Sequence, residues 1–297
     1  MATDDSITDF PEANSSGLSR RDFAGLSVAT GIATMAGGAR AATEVVETDV
    51  MVKTPDGMCD AAFIHPASGA HPGVIIWADV FGLRPSMRAM ARRMAAEGFS
   101  VLVPNPYYRT SKAPQIPDAS TFDFAKDRAQ LTPLTGPLQA PGAAERDAVA
   151  YVAFLDSRKE VDKTKKIGTQ GYCMGGPLVV KTAAAAPGRI GAGGSFHGGG
   201  LVTDKPDSPH LLAPKIKAGM YFAVAGSDDV KAPGDKDTLR KAMADAKVPA
   251  EVELYANSIH GWCVSDMPMQ NGKPIYNKAE ADMAWAKLVA LYKKHLV

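Results

Sequence analysis

The sequence predicts an α/β fold: a single domain with a mostly parallel central sheet and helices on both faces. Two observations predict it. Strand-like apolar runs alternate with helix-like periodic segments from residue 45 to residue 296. A glycine-flanked turn, Gly171-Tyr172-Cys173-Met174-Gly175-Gly176, sits where one such run gives way to a helix. The chain has 297 residues, 45% hydrophobic and 22% charged, an ordinary globular composition with enough chain for one large core.

The elements follow in order. Residues 45–54 alternate like a half-exposed strand, and "AAFIHP" follows across Pro55-Asp56-Gly57, so the pair reads as a hairpin near the sheet edge. Residues 72–82 are a buried strand ending in a loop. Residues 84–98 place Met87, Met90, Ala91 and Met94 at helical spacing and stop at Gly98, which makes the methionines core. Residues 99–109 are a strand ended by Pro104. Prolines 114, 117, 133, 137 and 141 punctuate 110–142, read as a partly helical, lid-like insertion beside the site. Residues 143–158 are a helix, and 166–186 are strand, sharp turn and helix. Strands at 190–198 and 218–229, a helix at 235–247, and a strand then loop at 250–262 complete the alternation. A final helix spans 277–296. No repeat or second domain is visible.

Residues 1–41 read as a targeting segment rather than fold. Arg20-Arg21, Phe23, a weakly apolar stretch to about Met35 and Ala39-Arg40-Ala41 follow one another as in a twin-arginine export signal, with cleavage expected after Ala41. The expected product, 42–297, is exported and periplasmic, with no membrane association after cleavage. Its net charge stays near neutral, 30 basic against 27 acidic residues, so no nucleic-acid or anionic-lipid partner is implied. Its three cysteines, Cys59, Cys173 and Cys263, allow one disulfide at most; a Cys59–Cys263 bridge would leave Cys173 free. The alternative is three reduced thiols.

Gly-x-Cys-x-Gly between a strand and a helix has the form of a nucleophile elbow, whose tight turn has no room for β-carbons at the flanking positions. The turn puts Cys173 at a helix N-terminus, where the dipole and free N–H groups favour a thiolate. A nucleophile needs a base, and the base an orienting acid. The next strand end carrying a free acid offers Asp228 or Asp229, and the strand end after that offers His260. Both lie at the sheet edge where open α/β folds bind ligands. "GGSFHGGG", with Ser195 and His197, lacks the second glycine of an elbow and follows the nucleophile, so it reads as a strand end that leaves space near the site. His65, His71, His197, His210, His260 and His295 show no metal-ligand spacing, and no metal or cofactor is implied.

Through "WADVFG" (77–82), "VPNPYYR" (103–109), "GYCMGG" (171–176), "GSDD" (226–229) and "HGW" (260–262), the chain from about residue 45 onward resembles the dienelactone hydrolase family. The resemblance implies an α/β-hydrolase domain, a small-molecule ester or lactone substrate and carboxymethylenebutenolidase-type activity through a thioester. It implies Cys173 as nucleophile, His260 as base, Asp228 as orienting acid, and the amides of Val80 and Met174 as oxyanion hole. Asp79 stands where the family commonly has a Glu that holds the resting thiol. Val264 stands near the place of an arginine that binds the substrate carboxylate, which leaves Arg109 and Arg128 as candidates for that task. Tyr107 and Trp262 are candidates to wall an apolar or aromatic pocket. The rival readings are a general carboxylesterase of the same fold and a non-catalytic or redox thiol protein that retains it.

Overall fold

A computed structural model describes residues 43–297; the export signal read at 1–41 lies outside the described residues. Eight strands form one sheet: β1 (Val45–Thr54), β2 (Gly57–Pro66), β3 (Gly73–Trp77), β4 (Ser100–Pro104), β5 (Ile167–Tyr172), β6 (Ile190–Phe196), β7 (Gly219–Ala225) and β8 (Ala250–Tyr255). Their spatial order is β1-β2-β4-β3-β5-β6-β7-β8. β1 and β2 form the expected edge hairpin, and β2 pairs antiparallel with β4. From β4 to β8 every pairing is parallel. β3 and β5 are buried at every position, as strands covered on both faces must be, whereas β1 is half exposed.

The helices are α1 (Pro85–Ala96), α2 (Phe124–Asp127), α3 (Thr132–Leu138), α4 (Ala143–Ser157), α5 (Gly175–Ala185), α6 (Gly226–Lys231), α7 (Asp235–Asp245) and α8 (Lys278–His295). α1 and α8 cover one face of the sheet with Met87, Ala91, Met94, Trp285, Leu288 and Tyr292. α4, α5 and α7 cover the other with Tyr151, Leu155, Val179, Leu239 and Met243. Trp77 Nε1 donates to Thr182 Oγ1 at 2.9 Å, which ties central β3 to α5 without an unpaired buried donor. Segment 110–142 folds into short helical turns, including α2 and α3. Two details differ from expectation. The segment after Ala225 turns into α6 rather than continuing the strand, and a small hairpin, β9 (Met269–Gln270) and β10 (Lys273–Pro274), follows the loop that carries His260.

The chain runs from β3 to β4 on one side and returns to β5 on the other. β3 and β5 stay paired to Trp77 and Gly171, but the connections that leave their carboxyl ends run to opposite sides, toward β4 and β6, where such folds leave a crevice. Both loops that frame the site leave from there.

Cys59 lies in the core on the α4 side, Cys263 packs against the core on the α1–α8 side, and all three cysteines are free. A Cys59–Cys263 bridge would have to pass through the sheet. Of the two readings the sequence left open, the structure agrees with three free thiols.

Candidate active site

Cys173 sits between β5 and α5 with φ +53°, a left-handed conformation that costs a non-glycine residue about 1–2 kcal/mol. The turn is so tight that a β-carbon on Gly171 would lie 2.1 Å from the Gly175 carbonyl oxygen. One on Gly175 would lie 2.4 Å from the Trp77 carbonyl oxygen. Close backbone approach therefore accounts for both flanking glycines. The Cys173 amide donates to the Phe196 carbonyl at 3.1 Å and to His197 Nδ1 at 3.1 Å.

His260 occupies the loop after β8, and its Nδ1 meets Asp228 Oδ2 at 2.7 Å. The His260 amide donates to Ser227 Oγ at 2.9 Å, which anchors the loop to the first turn of α6. Asp229, the other acid at this strand end, turns away to Lys236 at 2.7 Å. Burial disfavours the His260 imidazolium, but hydrogen bonds to Asp228 and Cys173 outweigh it and lift the ring to about 10. The imidazole thus meets the Asp228 carboxylate directly and shares the cavity with the Cys173 thiol, which adds to the upward pull on the ring.

The Val80 and Met174 amides make no hydrogen bond among the described residues and flank the thiol from two loops. Tyr107 joins those loops from beneath: its hydroxyl donates to the Val80 carbonyl at 2.7 Å and lies 3.5 Å from Met174 Sδ. Asp79 Oδ1 accepts from the Phe81 amide at 2.9 Å. Both Asp79 oxygens are also gripped by Arg84, at 2.7 and 2.9 Å. Arg84, 1% exposed, holds Asp266 in the same two-pronged way at 2.7 and 2.8 Å. One buried guanidinium therefore staples the loop of Val80 to the loop of His260.

Above Cys173, Asp228 and His260 lies a cavity of about 800 Å³. Phe124, Arg128 and Leu131 of the 110–142 segment line one wall, and Gly198–Leu201 and Leu239 another. Asp79 borders the cavity. Three candidates lie elsewhere. Arg109 is clamped by Asp147 and Asp56, each at 2.7 Å, and does not line the cavity. Tyr107 is 1% exposed and supports the loops of Val80 and Met174 instead of walling the pocket. Trp262 is fully buried behind His197, with ring centroids 5.3 Å apart.

The model of the dienelactone hydrolase family matches residues 59–296. The chain belongs to the dienelactone hydrolase family. It is a hydrolase of lactones or esters. A carboxymethylenebutenolidase of Rhodococcus opacus is 25% identical over 251 residues, 82% of this chain and 90% of the relative. The fold is shared with a dienelactone hydrolase-like promiscuous phosphotriesterase from metagenomic libraries, at TM-score 0.69 and 21% identity over 85% of this chain and 99% of the other. It is also shared with a dienelactone hydrolase from Anabaena variabilis, at TM-score 0.53 and 16% identity over 85% and 99% of the two chains.

In this family member the site includes residues that the sequence motifs did not flag. Arg84 follows Asp79 by five residues across a loop, and Asp266 is 182 residues further on, so no helical or strand period relates them. Their only sequence signal is an arginine and an aspartate close to the two motifs. Phe124 forms an aromatic cluster with Phe81 and Phe122, with centroids 5.0–5.7 Å apart, in a segment whose sequence has no clear period.

Proposed function

We propose that this family member opens lactones and activated esters by nucleophilic attack of Cys173, with a thioester intermediate and carboxymethylenebutenolidase-type activity. The observation that carries the proposal is the gathering of Cys173, His260 and Asp228 on one cavity, with His260 Nδ1 2.7 Å from Asp228 and Cys173 at the elbow between β5 and α5. The Cys173 thiolate adds to the substrate carbonyl, and the oxygen takes up negative charge facing the Val80 and Met174 amides. The tetrahedral intermediate collapses, breaking the C–O bond, and His260 Nε2 gives its proton to the departing alkoxide. Two of the interactions that raise His260 come from Cys173. Acylation neutralises the sulfur and removes them, so His260 becomes a base able to take a proton from water. Hydroxide then adds to the thioester, and the C–S bond breaks to release the carboxylate and restore the thiolate–imidazolium pair. Enol and phenol leaving groups are favoured, because a poor alkoxide competes badly with thiolate for expulsion.

Arg128 supports a carboxylate-bearing substrate: it lines the cavity and makes no ion pair among the described residues. A general carboxylesterase is the second reading, favoured by Arg109 being fully engaged and by Val264 near the family's arginine position. Initial rates with cis-dienelactone and p-nitrophenyl acetate, for wild type, Cys173→Ala and Arg128→Ala, separate the readings. Cys173→Ala is expected to lose at least about a thousandfold in kcat on both substrates. Arg128→Ala is expected to raise KM about tenfold for the anionic lactone alone. A Cys173→Ala enzyme as fast as wild type would overturn the nucleophile assignment; equal KM effects on both substrates would favour the carboxylesterase.

Export through the twin-arginine signal at 1–41 is part of the proposal and rests on Arg20-Arg21 and Ala39-Arg40-Ala41. Cell fractionation with Arg20→Lys/Arg21→Lys should leave the protein in the cytoplasm; unchanged periplasmic yield would refute it.

A further inference from the structure

His197 directly follows β6 and precedes Gly198–Gly200, at φ +39°, and is 1% exposed. Its amide donates to the Ala223 carbonyl at 2.8 Å, which pins the backbone to the next strand. Its Nδ1 accepts the Cys173 amide at 3.1 Å. An amide N–H can only donate, so Nδ1 carries a lone pair and the ring hydrogen sits on Nε2. Burial, with His260 alongside, pushes this imidazole well below its ordinary range and keeps it neutral. Its ring meets the His260 ring edge to face, with centroids 4.9 Å apart and an interplanar angle of 67°.

We propose that His197 is a positioning residue for the nucleophile: its Nδ1 holds the Cys173 amide, and with it the strained elbow, in the orientation the reaction needs. The inference rests on Cys173 being the nucleophile. The sheet bond to the Phe196 carbonyl fixes the end of β5, and the imidazole bond comes from a side chain at the mouth of the turn. Together they hold the peptide plane before Cys173, whose φ of +53° aims the sulfur at His260. Through the next peptide, the same plane aims the Met174 amide at the oxyanion. Its edge-to-face contact also limits rotation of the base. His197 acts through the Cys173 amide and, by its ring contact, through the orientation of His260.

The test is steady-state hydrolysis of p-nitrophenyl acetate by the mature chain and its Cys173→Ala, His197→Asn, His197→Gly and His197→Leu variants, with thermal midpoints. The Asn oxygen can occupy the place of Nδ1, and Asn tolerates the left-handed backbone. His197→Asn is therefore expected to keep kcat within about threefold of wild type. Glycine relieves the backbone strain but offers no acceptor. His197→Gly is expected to lose about tenfold or more in kcat with KM changed less than about twofold, because misplacing the reacting atoms harms the chemical step more than binding. His197→Leu, which fills the space without an acceptor, takes the place of the Gly variant if that one does not fold. Equal kcat for the Asn variant and the acceptor-free variant, both high or both low, overturns the role of His197. If Cys173→Ala is inactive in that case, the nucleophile reading survives. If Cys173→Ala keeps full activity, both fall.

Discussion

Asp228 does two things for His260. It fixes the ring with Nδ1 toward the carboxylate, and it favours the protonated form. The second effect makes a prediction about stability. The folded ring titrates near 10, against 6.5 for the free side chain, so folding favours the bound proton. That contribution is fully present below pH about 6.5, fades between about 6.5 and 10, and is gone above about 10. Asp228→Asn removes part of it. The gap in thermal midpoint between wild type and Asp228→Asn should be widest near pH 6 and should narrow toward pH 10. A gap that stays constant from pH 6 to pH 10 would show that the pair is not coupled to the proton in this way. Cys173, His260 and the choice between two aspartates were legible in the sequence because chain order and strand ends mark them. What separates Asp228 from Asp229 is the direction of each side chain on α6, one toward His260 and one toward Lys236. The strand end alone leaves the two aspartates open, and only the resemblance singled out Asp228.

The elements around the site were legible wherever a period exists. α1, with its methionine stripe, and α5, after the elbow, stand where the apolar spacing puts them. The loops between elements have no period, and there the sequence reading went astray at Arg109, Tyr107 and Trp262. These three side chains turn into the core or into ion pairs rather than into the cavity. The Arg84 staple arises in the same kind of segment, and its energetics are steep. Arg84 and Asp79 are both buried, while Asp266 is 21% exposed. Removing the guanidinium leaves the Asp79 carboxylate buried with no cation beside it, a loss of about 3–5 kcal/mol. Arg84→Met should therefore lower the unfolding free energy by about that amount in urea titration. Asp266→Asn should cost less, because its carboxylate is partly solvated and Arg84 keeps Asp79. If Arg84→Met proves no less stable than Asp266→Asn, the staple is not what holds the two loops. Because both oxygens of Asp79 face Arg84, this carboxylate anchors the loop of Val80 and is not free to hold the thiol.

At the scale of the whole molecule, the sheet is a partition. Cys59 and Cys263 face helices on opposite sides of it, a relation that appears only once the strand order is known. Counting three cysteines left one bridge open; the fold closes that possibility. Burial pushes the Cys59 thiol up to about 12, with its hydrogen bond to Tyr151 only partly opposing this, and pushes Cys263 well above the ordinary thiol range. Cys173 alone stands at the floor of an open cavity beside an imidazole. The native protein at pH 8 should therefore show one fast-reacting thiol toward a chromogenic disulfide, with Cys173→Ala removing that phase. After denaturation without reductant, three thiols per chain should react in wild type. A count of one after denaturation would mean that two of the cysteines are joined, which the separation by the sheet forbids for Cys59 with Cys263. It would leave Cys173 joined either to Cys59 or to Cys263, the latter on the α1–α8 side beside Tyr172 and Phe196. Either pairing would occupy Cys173, so the denatured thiol count tests the partition and the availability of the proposed nucleophile in one measurement.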